Sequence, residues 1–195
     1  MFVVVRGAAA VYRAIHERDE TVPPITVIFV VSGLAVWVNA FAFLGIGAKA
    51  EEGAANPMKT VGWVTLLAGI VDGVQAAFII ATVPAKTGIP LAGIVTFYAT
   101  FFTLLGISLI GGLDLRPVGN LAVAVAIVPL FWWNFFSGGW MLRSILVVWF
   151  VAFLAVAATT YGKLPPKILG GILLVTSVYT FLAPAALIAL GISIP

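Results

Sequence analysis

Residues 168–195, ILGGILLVTSVYTFLAPAALIALGISIP, decide the fold. These 28 residues carry no charged side chain, and they exceed the roughly 20 that a helix needs to cross hydrocarbon. Bilayer hydrocarbon offers no water to backbone N–H and C=O groups, so such a stretch bonds its own backbone as a helix. Five further stretches obey the same rule. The chain is therefore expected to be an all-α, polytopic membrane protein, a bundle of six transmembrane helices. The expected spans are about 25–46, 60–80, 89–110, 118–136, 144–160 and 168–190. Each boundary carries Gly, Pro or charge: Pro23-Pro24 and Asn56-Pro57 at helix starts, Gly111-Gly112 and Ser137-Gly138-Gly139 at ends.

Composition supports this class. Hydrophobic residues make up 63% and charged residues 9% of 195, against roughly 45–50% and 25% in soluble domains. A channel-type bundle over residues 25–192 uses nearly all the chain, leaving no separate catalytic domain. Residues 1–24 read as an N-terminal pre-helix or interfacial tail. Arg6 interrupts the apolar run there, so an unbroken signal-peptide core is missing. The ten basic residues bracket apolar runs, which suits headgroup anchoring and argues against a nucleic-acid partner. With no cysteine, thiolate metal sites are excluded. His16 is the single histidine, so no metal centre and no cofactor are expected. No phosphate loop, nucleophile elbow or paired carboxylate motif occurs, and an enzyme is not expected.

Six spans place both termini on one side. Counting the basic residues nearest the spans gives Arg18, Lys86 and Arg143 against Lys49, Lys59, Arg116, Lys163 and Lys167. That bias favours cytoplasmic 1–2, 3–4 and 5–6 connections and outside termini.

The intramembrane polar residues need a reason. Asp72 lies near the middle of the second span, with Gln75 three residues on and so on a similar helical face. A buried carboxylate faces the bundle interior, a wet cavity or a partner; it reads as a pore acid or as a structural group. Gly69 and Gly73 flank it in a G-x-x-x-G spacing that permits close helix approach. Asn39 in the first span either contacts a solute or locks two helices. Tyr98 with Phe102, and Trp149 with Phe153, form aromatic pairs one turn apart that suit a slot wall or ordinary packing. Trp132, Trp133, Phe135, Phe136 and Trp140 read as an interfacial belt. Thr176, Ser177, Tyr179 and Thr180 make a hydroxyl-rich patch ahead of Pro184, which can bend its helix. Amides, hydroxyls and one acid suit a neutral solute better than a coupled ion, and no internal repeat is evident.

Gly112-Leu113-Asp114-Leu115-Arg116-Pro117, continuing to Ile127-Val128-Pro129, is similar to a segment of the acid-activated urea channels and amide transporters. Asn39, followed by Asn56-Pro57-Met58-Lys59-Thr60 and Leu67-Ala68-Gly69-Ile70, and then Thr180-Phe181-Leu182-Ala183-Pro184-Ala185, extend the resemblance in order over about residues 30–192. It implies a homo-hexamer with a lipid-filled centre, in the cytoplasmic (inner) membrane, each protomer holding its own pore for urea or a short aliphatic amide. It also implies pore positions at Tyr98, Phe102 and Trp149, with Leu146 and Phe153 where the urea channel has further tryptophans. Thr176 stands where that family has an acid.

The expected pore-lining set is thus Asn39, Asp72, Gln75, Tyr98, Phe102, Leu146, Trp149, Phe153, Thr176 and Thr180. The connection over 82–88 contains neither histidine nor carboxylate, so acid gating is not expected. Two rivals remain open. One is a proton-coupled carrier of a weak acid such as acetate, using Asp72; the other is a non-transporting assembly subunit.

Overall fold

A computed structural model describes residues 25–47 and 55–195. The expected tail over 1–24 with His16, and the loop residues Lys49, Glu51 and Glu52, lie outside these. The first three spans are single helices: α1 (Ile25–Leu44), α2 (Pro57–Thr82) and α3 (Ala85–Gly111). The fourth is α4 (Arg116–Ile127) prolonged by a 3-10 segment, Val128–Trp133, and the fifth is α5 (Trp140–Thr160). The last joins α6 (Pro166–Thr176), a π segment Ser177–Leu182 and α7 (Ala183–Ala189). All six are long and apolar enough to cross a membrane. The chain is a multi-pass membrane protein, and among the described residues no strand occurs.

Local chemistry sets the ends. Asn56 caps α2, its side chain accepting from the Met58 N–H at 2.9 Å, with Pro57 in the first turn where a missing N–H costs nothing. Gly112 closes α3 in the left-handed region at φ 63°. The second connection is shorter than expected. Only Val83 and Pro84 separate α2 from α3, because Pro84 serves as N-cap and the helix opens at once. Lys86 and Pro90 consequently belong to α3. Between α3 and α4, Asp114 and Arg116 form an exposed ion pair. The hydrogen bond from the Arg116 side chain, helped by its backbone N–H, brings the Asp114 carboxyl down to about 2.

Two helices depart from α geometry at proline. Pro129 opens the 3-10 stretch of the fourth span. Pro184 has no N–H for the Thr180 carbonyl, and just before it the Ala183 N–H reaches back five residues to the Val178 carbonyl. The bend expected at Pro184 is therefore a π turn, which rotates the residues ahead of it relative to a regular helix.

α2 and α3 pack closest, and glycine makes this possible. A Cβ on Gly106 would lie 2.5 Å from the Leu66 nitrogen, and one on Gly69 would lie 2.5 Å from the Thr103 nitrogen. Gly62 is likewise tight against Gly106 and Ile110, whereas a Cβ on Gly73 would meet nothing within 4 Å among the described residues. The close-approach pair is therefore Gly62 and Gly69, two turns apart, rather than Gly69 and Gly73. Gly69→Ala and Gly106→Ala are each expected to cost about 1–3 kcal/mol by forcing backbones apart. Gly73→Ala should be neutral or slightly stabilising, since alanine is the better helix former. Thermal unfolding of the three variants in detergent tests this; equal melting temperatures would refute the packing account.

Candidate functional site

The buried polar residues of α1 recur at seven-residue spacing, and so do their partners on α2. Ser32 Oγ donates to Asp72 Oδ2 at 2.6 Å, and Asn39 Nδ2 donates to Thr65 Oγ1 at 2.7 Å. Seven residues are two turns less about 20°, so 32 with 39, and 65 with 72, share a face along antiparallel helices. Asn39 spends its other amide proton on the Ala35 carbonyl at 2.9 Å, and Thr65 donates to Val61. All four side chains are nearly or wholly buried. Among the described residues, two of their acceptors find no partner, Asn39 Oδ1 and Asp72 Oδ1.

The last span closes on this face. Ser177 Oγ donates to the Gly33 carbonyl at 2.8 Å, and a Cβ on Gly33 would lie 2.9 Å from Phe181 Cβ. The π turn sends its hydroxyls in different directions. Tyr179 hydrogen-bonds Ser144 on α5 at 2.6 Å. Thr180 accepts from Trp149 Nε1 at 2.8 Å and donates to the Thr176 carbonyl at 2.7 Å.

Two cavities lie end to end inside this bundle. The first, about 100 Å³, is bounded by Phe43, Leu115, Thr160 and Leu169 towards the α3–α4 turn and by Asn39, Phe102, Phe153 and Thr176 deeper in. The second, about 40 Å³, opens among Ile25, Leu91, Phe136 and Leu142 and reaches Ser32, Tyr98 and Leu146. Both exceed the minimum needed for a water. Trp149 and Phe181 line both cavities and stand between them. Their rings lie 5.3 Å apart, and Tyr98 meets Trp149 edge-on at 4.4 Å. Tyr98 also stacks on Phe153 at 5.7 Å, and Phe153 meets Phe101 edge-on at 4.8 Å. The partition is an aromatic cluster drawn from α3, α5 and the π turn. Among the described residues, no Asp, Glu, Lys, Arg or His lines either cavity. The Tyr98 hydroxyl is buried without a partner among the described residues.

Of the ten residues expected to line a pore, Asn39, Phe102, Trp149, Phe153 and Thr176 border the first cavity, and Tyr98, Leu146 and Trp149 the second. Thr180 stands behind Trp149 as its hydrogen-bond acceptor. Asp72 borders neither cavity and touches the second only through Ser32. Gln75 also borders neither, and among the described contacts it makes no hydrogen bond. A three-residue step leaves it about 60° round the helix from Asp72.

Sequence reasoning missed Ser32, Thr65, Phe101 and Phe181 as members of the site. The seven-residue recurrence was the available signal for the first two. The belt reading also divides. Trp133 and Trp140 are exposed, with Arg143 5.3 Å over the Trp133 ring. Trp132 turns inward instead, donating to the Pro90 carbonyl at 2.8 Å, and Phe136 lines the second cavity.

No family model and no curated protein sequence matches the chain. Two solved structures do, both of the Helicobacter pylori urea channel. The cryo-EM structure in a closed state has a TM-score of 0.70 at 17% identity, over 85% of this chain and 97% of that one. The crystal structure has a TM-score of 0.66 at 17% identity, over 87% and 98%. The chain has the fold of those urea channel structures, and the resemblance read from its residues holds at that level.

Proposed function

We propose that the chain is a passive channel for urea or a short aliphatic amide. The observation that carries this reading is the pair of uncharged cavities aligned through one subunit and separated by two aromatic rings. The likeness in fold to a urea channel supports it. A planar neutral solute exchanges water for a few hydrogen bonds and slides between aromatic faces. An ion entering the same passage loses hydration with no charged group among the described lining residues to compensate, and is refused. The activity is transport without catalysis, in the cytoplasmic membrane, with the start of α1 and the end of α7 on the outer side. Trp63, Leu67 and Phe78 present a large apolar face on α2, which suits lipid or the neighbouring subunits of a hexamer with a lipid-filled centre. Proton-coupled uptake of acetate is less well supported, because Asp72 stands behind Ser32 rather than on a cavity wall.

Stopped-flow swelling of proteoliposomes in urea, acetamide, acetate and glycerol tests the proposal. Urea or acetamide is expected to pass well above empty vesicles, and acetate and glycerol are not. Flux of acetate alone, abolished by a protonophore, would overturn it.

The channel is not acid-gated in this reading. The connection of Val83 and Pro84 between α2 and α3 has no room for a sensor. A depressed carboxyl pKa stabilises the fold above its unfolded value and loses that effect only as pH falls through the folded one. For Asp114 that window is between about 4 and about 2, so the 113–115 turn keeps its charge at pH 5. Urea flux at pH 5 and pH 7.5 should be equal; a large rise at pH 5 would defeat this part.

A further inference from the structure

We infer that the groove between α5 and the last span binds an anionic phospholipid, with the phosphate held by Arg143. The groove lies on the outside of the subunit, so the inference goes beyond the channel reading and holds whichever solute passes. One stretch of it, about 690 Å³, lies among Trp133, Trp140, Arg143 and Tyr179. It continues past Val147 and Val148 into a second stretch, about 560 Å³, that ends at Lys167. A short turn joins α5 to α6. Arg143, one turn into α5, and Lys167, at the start of α6, therefore mark opposite membrane faces.

Arg143 is held so as to present its cation. Its Nε donates to the Trp133 carbonyl at 3.1 Å, and the guanidinium lies 5.3 Å over the Trp133 ring. Those contacts orient the fork, while its two terminal nitrogens make no hydrogen bond among the described residues. Such a fork matches the oxygens of a phosphate. The neighbouring hydroxyls do not compete for it. Ser144 donates to the Met141 carbonyl at 2.7 Å, so in its 2.6 Å bond with Tyr179 the tyrosine is the donor.

Beyond the cation the groove is apolar, with Val147, Val151, Ile168 and Val175 exposed along it. Gly171 keeps its floor low, since a Cβ there would meet nothing within 4 Å among the described residues. Arg143 to Val151 is about 12 Å along the helix, close to the roughly 15 Å of hydrocarbon in one leaflet. A phosphate joined to an acyl chain fits both parts; a free phosphate uses only the mouth. The described lining residues include Arg143 and Lys167 but no carboxylate. The ammonium of a zwitterionic headgroup thus finds no counter-charge there, and a headgroup of net negative charge needs none. A second copy of this chain is a poorer occupant. Its described acids are Asp72, buried against Ser32, and Asp114, paired with Arg116.

Native mass spectrometry of the full chain in neutral detergent, titrated with phosphatidylglycerol or phosphatidylcholine, tests this. The wild type is expected to hold phosphatidylglycerol about fivefold more tightly, the scale of one basic residue against an anionic headgroup. Arg143→Gln should lower that affinity about tenfold, as for a lost charge-assisted hydrogen bond. Gly171→Leu fills the groove with the cation intact and should also lower it. Lys86→Gln, at a basic residue outside the groove, should leave it unchanged. Where Arg143→Gln fails to fold, Gly171→Leu decides, with thermal unfolding as the control for integrity. Equal affinity for the two lipids, or wild-type affinity in Arg143→Gln or Gly171→Leu, overturns the inference. Displacement of the lipid by inorganic phosphate would reduce the site to Arg143 alone and overturn it too. A changed oligomeric state in Arg143→Gln with lipid binding intact would assign the groove to a second copy instead.

Discussion

Trp149→Ala is expected to join the two cavities and raise passage of neutral solutes, with glycerol gaining more than urea. Trp149 and Phe181 are the residues common to both cavity walls. Removing the indole leaves Phe181 alone across the gap. Tyr98 and Phe153 cannot follow it, since each is held in the aromatic cluster from its own helix. A barrier lowered by about 1.4 kcal/mol multiplies the rate tenfold, so glycerol flux on the order of tenfold above wild type is the expected scale. The substitution also costs about 3–5 kcal/mol of packing, and so Trp149→Phe belongs beside it. Phenylalanine keeps most of the ring and loses the Nε1 bond, while Thr180 still donates to the Thr176 carbonyl. Trp149→Phe should therefore keep solute discrimination that Trp149→Ala loses. Swelling rates in urea and glycerol give the answer. Unchanged discrimination in Trp149→Ala would show that the partition is not the barrier.

Asn39→Leu is expected to close the first cavity to urea. Leucine is of similar size but removes the one amide side chain on the wall of that cavity, whose buried Oδ1 has no partner among the described residues. Thr65 keeps its own bond to the Val61 carbonyl at 2.8 Å, so the neighbouring helix is not left with a proton to place. A single hydrogen bond contributes about 0.5–1.5 kcal/mol net, and a desolvated solute in an apolar cavity has few substitutes for it. A fall in urea flux of about tenfold, with a melting temperature near wild type, is the expected outcome. Wild-type flux in Asn39→Leu would place the passage elsewhere in the bundle. The alternative reading of Asn39 as a helix lock predicts a lower melting temperature with flux per folded molecule preserved, which separates the two.

The six spans were legible because cost in hydrocarbon accumulates residue by residue along the chain. Asp72 in the second span did not obscure it, and the charges at Lys86 and Arg116 marked ends. The ends themselves shifted where capping chemistry prevailed over hydropathy: Pro57 and Pro166 open helices before the strongly apolar runs begin. Aromatic membership was partly legible. Tyr98, Phe102, Trp149 and Phe153 all border cavities, yet Phe181, which completes the partition, sits within a motif that carried the resemblance and was not singled out. Its direction depends on the π turn.

Span number, helical class, the scarcity of charge inside the bundle and the pairing-ready spacing of Ser32 with Asn39 are properties of one chain segment at a time. Hydropathy and helical period determine them before any helix meets another. The partnership of Asp72 with Ser32 instead of Gln75 was decided only in three dimensions. So were the choice of Gly62 and Gly69 over Gly73 as the close approach and the convergence of Trp149 and Phe181. Each depends on how far a helix is rotated about its axis when it packs. That rotation is set jointly by glycines that admit a neighbouring backbone and by a proline that converts one turn from α to π.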